Sequence, residues 1–172
     1  MTTSRPRPIR QIALLAETIV FTLVVPGTVT YWLPRALDLW RPVPKRPWLP
    51  TAWLSVAPLA IGLAIYVRCA WDFATRGRGI PAPLDHPKQL VVSGLYRYVR
   101  NPMYLGVLCV LLGESLLFQS SSFLIYTLIW LALVHVFVVV YEEPNLHRKF
   151  DGSYDAYRAH VRRWIPGRAY RT

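Results

Sequence analysis

Acidic side chains are scarce in this 172-residue chain: 9 Asp and Glu stand against 20 Lys and Arg, and charged residues make up only 17%. A soluble domain carries about 25% charge, so a simple soluble enzyme is excluded. Cysteine is scarcer still. Cys69 and Cys109 both fall in apolar runs, which excludes a disulfide scaffold and marks them as small buried hydrophobes. No Cys/His spacing fits zinc, and His86, His135, His147 and His160 are scattered, so no metal site is expected. A Gly-rich strand-to-helix turn and a serine nucleophile elbow are missing as well. Hydrolytic, metal and dinucleotide-redox chemistry therefore have no motif, and no catalytic residue can be named.

What the chain does have is apolar length: 53% of its residues are hydrophobic. The net charge of +11 lies between apolar runs, the pattern of a membrane protein rather than of a nucleic-acid binder. Four runs approach the roughly 20 residues needed to cross a bilayer: 12–33, 51–71, 103–118 and 123–141. The last two, joined by Gln119–Ser122, form an antiparallel helical hairpin. The first reads as a retained span rather than a cleaved leader. With the N-terminus inside, 16 Lys and Arg face the cytoplasm and 4 face out, so both termini are expected there. The expected fold is one all-α integral membrane domain over 1–172, with about four transmembrane helices. Its polar surfaces are a cytoplasmic loop, 72–102, and a tail, 142–172, helical around Tyr154–Trp164 and stopping at Pro166-Gly167.

Two clusters stand out. The segment Gln89–Gly106 is dense in Tyr and Arg and runs straight into the third span, with Gly94 at a turn and Pro102 at the first helical turn. It reads either as an interfacial anchor or as a binding loop. Glu142-Glu143 sits at the C-terminal end of the fourth span, where the helix dipole is already negative. Such a pair needs a compensating partner: Arg97, Arg100 or a bound cation. Glu17, Glu114 and His135 are ionisable residues inside spans. His135 and Glu142, seven apart, lie on one face of an unbroken α-helix.

The ordered set Gly-Leu-Tyr-Arg-Tyr-Val-Arg-Asn-Pro-Met-Tyr-Leu-Gly (94–106), a helical hairpin, Glu142-Glu143-Pro144-Asn145-Leu146, Phe150–Tyr157 and Arg162-Arg163-Trp164-Ile165-Pro166 resembles the isoprenylcysteine carboxyl methyltransferase family, related to phospholipid N-methyltransferases. The resemblance covers 89–166. It implies an integral-membrane enzyme that uses S-adenosylmethionine without a dinucleotide-type domain. By position, Lys88, Gln89, Leu90, Val91, Gly94, Tyr96, Asn101, Pro102, Met103, Tyr104, Glu142 and Glu143 are implied to form the cofactor pocket. Arg97, Arg100, Glu114 and His135 are candidates for the acceptor.

Three positions depart from the family pattern. Its His-Pro pair is Asn101-Pro102, which cannot titrate. An arginine expected one turn before the acidic pair is Val138, and the Phe-Gly opening of the tail motif has Asp151 before Gly152. The acceptor is expected to be a lipophilic small molecule or lipid: a prenylcysteine-type carboxylate, a thiol, an amine or a phospholipid. Membrane lipids are the expected surroundings, with no nucleic acid and no obligate protein partner. The alternative is a non-catalytic membrane scaffold or transporter subunit whose basic loop binds anionic lipid.

Overall fold

The structure is a computed structural model that describes residues 8–40, 53–76 and 92–170. Lys88, Gln89, Leu90 and Val91 lie outside the described residues, as does most of the loop that contains them. The described residues fold as helices: α1 (Pro8–Gly27), a π turn (Thr28–Trp32), α2 (Leu33–Ala36), α3 (Val56–Arg76), a 3₁₀ turn (Gly94–Arg97), α4 (Pro102–Leu117), α5 (Ser121–Phe137), a second π turn (Val138–Glu142) and α6 (Glu143–His160). Among them, two continuous helical stretches are long and apolar enough to cross a membrane, Ala16–Ala36 and Ser121–His160; Pro102–Leu117 is a shorter apolar helix. Large apolar side chains such as Leu23, Val24, Ile61, Leu63, Leu128, Leu133 and Val140 point outward. A soluble monomer does not present such a surface to water; it is the lipid-facing coat of a membrane protein.

The α4–α5 hairpin follows from local chemistry. Gln119 takes φ 50°, while Ser120 N–H bonds to Ser115 C=O and Gln119 N–H to Leu116 C=O, closing α4 with a Schellman motif. Ser120 then caps α5 by accepting from Phe123 N–H at 3.2 Å. The core of the bundle is Tyr66, Val107, Leu111 and Phe123, against which Met103, Phe118 and Trp40 pack. In lipid such burial does not itself drive helices together, because acyl chains are as apolar as leucine. Close backbone approach does. A β-carbon at Gly62 of α3 would lie 2.5 Å from Gly106 C=O of α4, and one at Gly106 would lie 3.0 Å from Gly62 C=O.

Both π turns precede a proline. Each ends two residues before a proline, Pro34 or Pro144, inside a continuing helix. An α-helical proline lacks its N–H and clashes with the carbonyl four residues back, at about 3 kcal/mol. Widening the turn removes the clash: Leu33 N–H bonds to Thr28 C=O and Glu143 N–H to Val138 C=O, each five residues back. The next carbonyl in this register, Val29, would take its donor from Pro34, which has none. Tyr126 OH donates to it instead, at 2.7 Å.

The tail is helical around Tyr154 as expected, after a break at Asp151, but the helix stops at His160; Val161 is extended, so Trp164 lies outside it. Within α6, Asp151 breaks the helical path at φ 41°, ψ −126°. That region favours glycine, and the glycine of the expected Phe-Gly pair would fall here, not at 152.

Two substitutions therefore act with opposite sign on thermal unfolding in detergent. Gly62→Val drives its side chain into the α4 backbone and lowers stability by about 2 kcal/mol or more. Asp151→Gly removes backbone strain and raises it by about 1 kcal/mol; a lower midpoint for Asp151→Gly contradicts the strain argument.

Candidate functional site

The site forms where α3, the 92–101 segment, the start of α4, the end of α5 and the tail meet. Gly94 has φ 60°, and the buried carboxylate of Asp72 from α3 occupies the place where its β-carbon would be. Only glycine allows both the turn and this approach. The tail backbone then runs antiparallel along 97–101: Arg100 N–H donates to Arg162 C=O, Gly167 N–H to Tyr98 C=O and Tyr170 N–H to Arg97 C=O. Asn101 Nδ2 donates to Arg163 C=O at 3.2 Å, and Tyr157 OH to Tyr96 C=O at 2.6 Å. Tyr154, Tyr157 and Val161, covered by Val92, Phe150 and Tyr170, form a small second core beneath this strap.

The two carboxylates have separate surroundings. Glu143 receives a bidentate Arg163, Nε to Oε1 at 2.7 Å and Nη2 to Oε2 at 2.8 Å, plus Arg100 Nη1 at 3.0 Å. Burial alone would push its carboxyl up. The Arg163 hydrogen bonds and the two guanidinium charges outweigh burial and hold it below the usual carboxylate range. Glu142 accepts from Tyr104 OH at 3.1 Å. Burial pushes its carboxyl up, the Tyr104 bond offsets part of this, and the Glu143 charge adds to the rise.

The expected partner Arg100 is thus present and joined by Arg163. Arg97 is elsewhere: its Nε donates to Tyr170 C=O at 2.9 Å. Among the candidate acceptor residues, Arg97 and Arg100 are therefore engaged within the protein. Glu114 sits ten residues along α4 from Tyr104, about 15 Å away along the axis, and its Oε2 is buried without a hydrogen-bond partner among the described residues. His135 lies before the π turn and Glu142 at its end, and the two are joined through Trp164 and Tyr104. His135 Nδ1 accepts from Trp164 Nε1 at 3.0 Å, which leaves the ring proton on Nε2. Trp164 also meets Tyr104 edge-on at 6.5 Å.

Of the residues implied by the motif, Tyr104 meets Glu142, Asn101 binds the backbone of Arg163 beside Glu143, and Tyr96 C=O accepts from Tyr157. Gly94 lies against Asp72, Pro102 is buried at the start of α4, and Met103 packs on the bundle core. Sequence reasoning missed Asp72, Tyr157 and the role of Arg163. The Arg163–Glu143 pair is 20 residues apart across a helix end, a spacing with no periodic signal. Ser93 Oγ and Arg100 Nε are buried at the site with no partner among the described residues. On the exposed face of α6, His147, Asp151 and Asp155 bring ligand atoms within 4.8 Å of one another, but Asp155 already pairs with His147 at 3.3 Å and Arg158 at 3.2 Å.

The depressed Glu143 carboxyl makes stability pH-dependent with a definite sign. Its contribution is present above the ordinary glutamate range and lost as pH falls through its lowered folded value. Arg163→Ala lowers stability at neutral pH by about 3 kcal/mol, the cost of stripping one partner from a buried pair. It also flattens the acid limb of the melting-temperature profile; an acid limb of unchanged steepness places the responsible group elsewhere.

The family of phospholipid methyltransferases matches residues 50–153, a stretch that includes the 94–106 segment, the hairpin and Glu142-Glu143. An uncharacterized protein from Haemophilus influenzae is 33% identical over 63 residues, which is 37% of this chain and the whole of that relative. No solved structure matches. The match over more than half the chain, through the residues that build the site, makes this protein a member of the phospholipid methyltransferase family, a family of membrane methyltransferases.

Proposed function

We propose that this protein is an integral-membrane methyltransferase that takes its methyl group from S-adenosylmethionine and transfers it to a lipophilic acceptor without a free carboxylate. The observation that carries the reading is the unequal treatment of the acidic pair. Glu143 is fully engaged by two arginines, while Glu142 is half-buried with Tyr104 as its hydrogen-bond partner. A lipid-binding scaffold has no use for a carboxylate held in that state. In this reading the bundle crosses the membrane four times, through the α1–α2 stretch, α3, α4 and α5, with both termini in the cytoplasm. The acceptor enters from the bilayer.

The residues present fit the cofactor. Ser93 Oγ and Arg100 Nε are orphaned polar atoms on the loop that would face the nucleoside. Glu142 offers an acceptor for cationic or hydroxyl groups, and Tyr96, Tyr104 and Trp164 offer aromatic faces that attract a cation. When bound, S-adenosylmethionine supplies an electrophilic methyl on a sulfonium. The protein then has to hold the two reactants in line and exclude water. That demand matches a site with no triad or metal motif.

Val138 argues for the acceptor class. It is 1% exposed and apolar where a carboxylate-holding arginine would stand. With Arg97 and Arg100 engaged elsewhere, an acceptor carboxylate would lack a counter-charge, at a cost of about several kcal/mol. A lipophilic amine or thiol avoids it.

Calorimetric titration with S-adenosylhomocysteine tests the cofactor. Glu142→Gln is expected to weaken binding about tenfold or more, since a hydrogen bond to a charged group is worth about 1.5–3 kcal/mol. Equal affinity in a folded variant removes Glu142 from the site. In methyl-transfer assays, N-acetyl-farnesylcysteine is expected to be a poor acceptor, and efficient turnover of it would overturn the reading of Val138.

A further inference from the structure

We propose that Pro144 is a positioning residue for Glu142: by forcing the π turn, it sets the rotation at which Glu142 meets Tyr104 while Glu143 meets Arg163. The functional half of this inference rests on the reading of Glu142 as a cofactor contact; the geometric half does not.

Glu142 and Glu143 are neighbours on one helix, so they point about 100° apart and cannot both be aimed freely. Tyr104 lies at the start of α4 and Arg163 on the tail, and both are satisfied at once: Tyr104 OH to Glu142 at 3.1 Å, Arg163 to Glu143 at 2.7 and 2.8 Å. The turn Val138–Glu142 sits directly between the body of α5, held in the bundle by Phe123 and Thr127, and the acidic pair. The extra residue held in that wider turn leaves both carboxylates about 100° short of the rotation an α-helix would give them relative to that body. An unbroken α-helix would carry them off these partners.

The turn is not confined to the site, although a proline alone does not dictate it: Pro26 lies within α1 with no π turn before it. The same construction, a five-residue π turn ending two residues before a proline, occurs at Thr28–Trp32 and Pro34, far from the acidic pair. Restoring an N–H at 144 lets that residue bond the carbonyl four residues back. It removes the steric reason for the wide turn.

The test uses the full chain in detergent, with Pro144→Ala, Glu142→Gln and Tyr104→Phe singly and combined. The first readout is S-adenosylhomocysteine affinity. Pro144→Ala is expected to melt no lower than the parent yet bind about tenfold more weakly or worse, and adding Glu142→Gln should cost it nothing further. The second readout needs no cofactor: the thermal-stability coupling between Tyr104→Phe and Glu142→Gln, present in the parent, should vanish in the Pro144→Ala background. Affinity within about twofold of the parent alongside a weakened Glu142→Gln, or a coupling that persists, overturns the inference and leaves the proposed function standing. If Glu142→Gln binds like the parent, or the parent does not bind, the proposed function fails and the coupling alone decides the role of Pro144. Should Pro144→Ala not accumulate, Pro144→Asn with Asn145→Pro keeps one proline in the helix and displaces the turn. Loss of the coupling supports the inference, and its survival overturns it.

Discussion

Two adjacent carboxylates at the negative end of a helix, at the edge of a low-dielectric layer, are the constraint on which this structure turns. Left alone they would repel each other and the helix dipole. The protein resolves the conflict unequally. Glu143 draws in Arg100 from the loop before α4 and Arg163 from the tail, and so ties together three pieces that sequence holds far apart. Glu142 keeps its burial and a tyrosine donor. The ion cluster on Glu143 holds the scaffold together and does not include the other carboxylate.

The two ends of the molecule are stabilised by different physics. Within the apolar layer, glycines bring α3 and α4 into backbone contact, and the proline at 34 frees a carbonyl that Tyr126 then satisfies from another helix. In hydrocarbon every such polar group must find a partner inside the protein. Outside that layer, aromatic rings supply the second core, and antiparallel backbone bonds bind the tail to the 97–101 segment. The acidic pair stands at the junction, where water, lipid and protein dielectric meet.

The tail shows what a wrong helical boundary costs a sequence reading. Tyr154 to Trp164 looks like a helix by composition; a helix does follow the break at Asp151 there, but it stops at His160. Trp164 is freed to reach back to His135. The period of 3.6 behind the expected shared face of His135 and Glu142 holds only while the helix is α, and a π turn stands between them. The proline directly after the acidic pair was visible in the sequence. Its answer is a widened turn rather than a stop.

From sequence alone came the helical membrane architecture, the α4–α5 hairpin and the family. These rest on apolar runs, on the Ser120 cap and on motif order, which are properties of contiguous chain. The gathering of Gly94, Tyr96, Asn101 and Tyr104 near the acidic pair was legible for the same reason. Only the tertiary structure decided which acid is engaged and which is available, that Arg97 clamps the tail instead of facing the pair, and that Asp72 fills the space beside Gly94. Those outcomes depend on distance and rotation between elements 20 or more residues apart. No periodicity records them, because a side chain's partner across a fold is chosen by where two helices end and by how far each has turned.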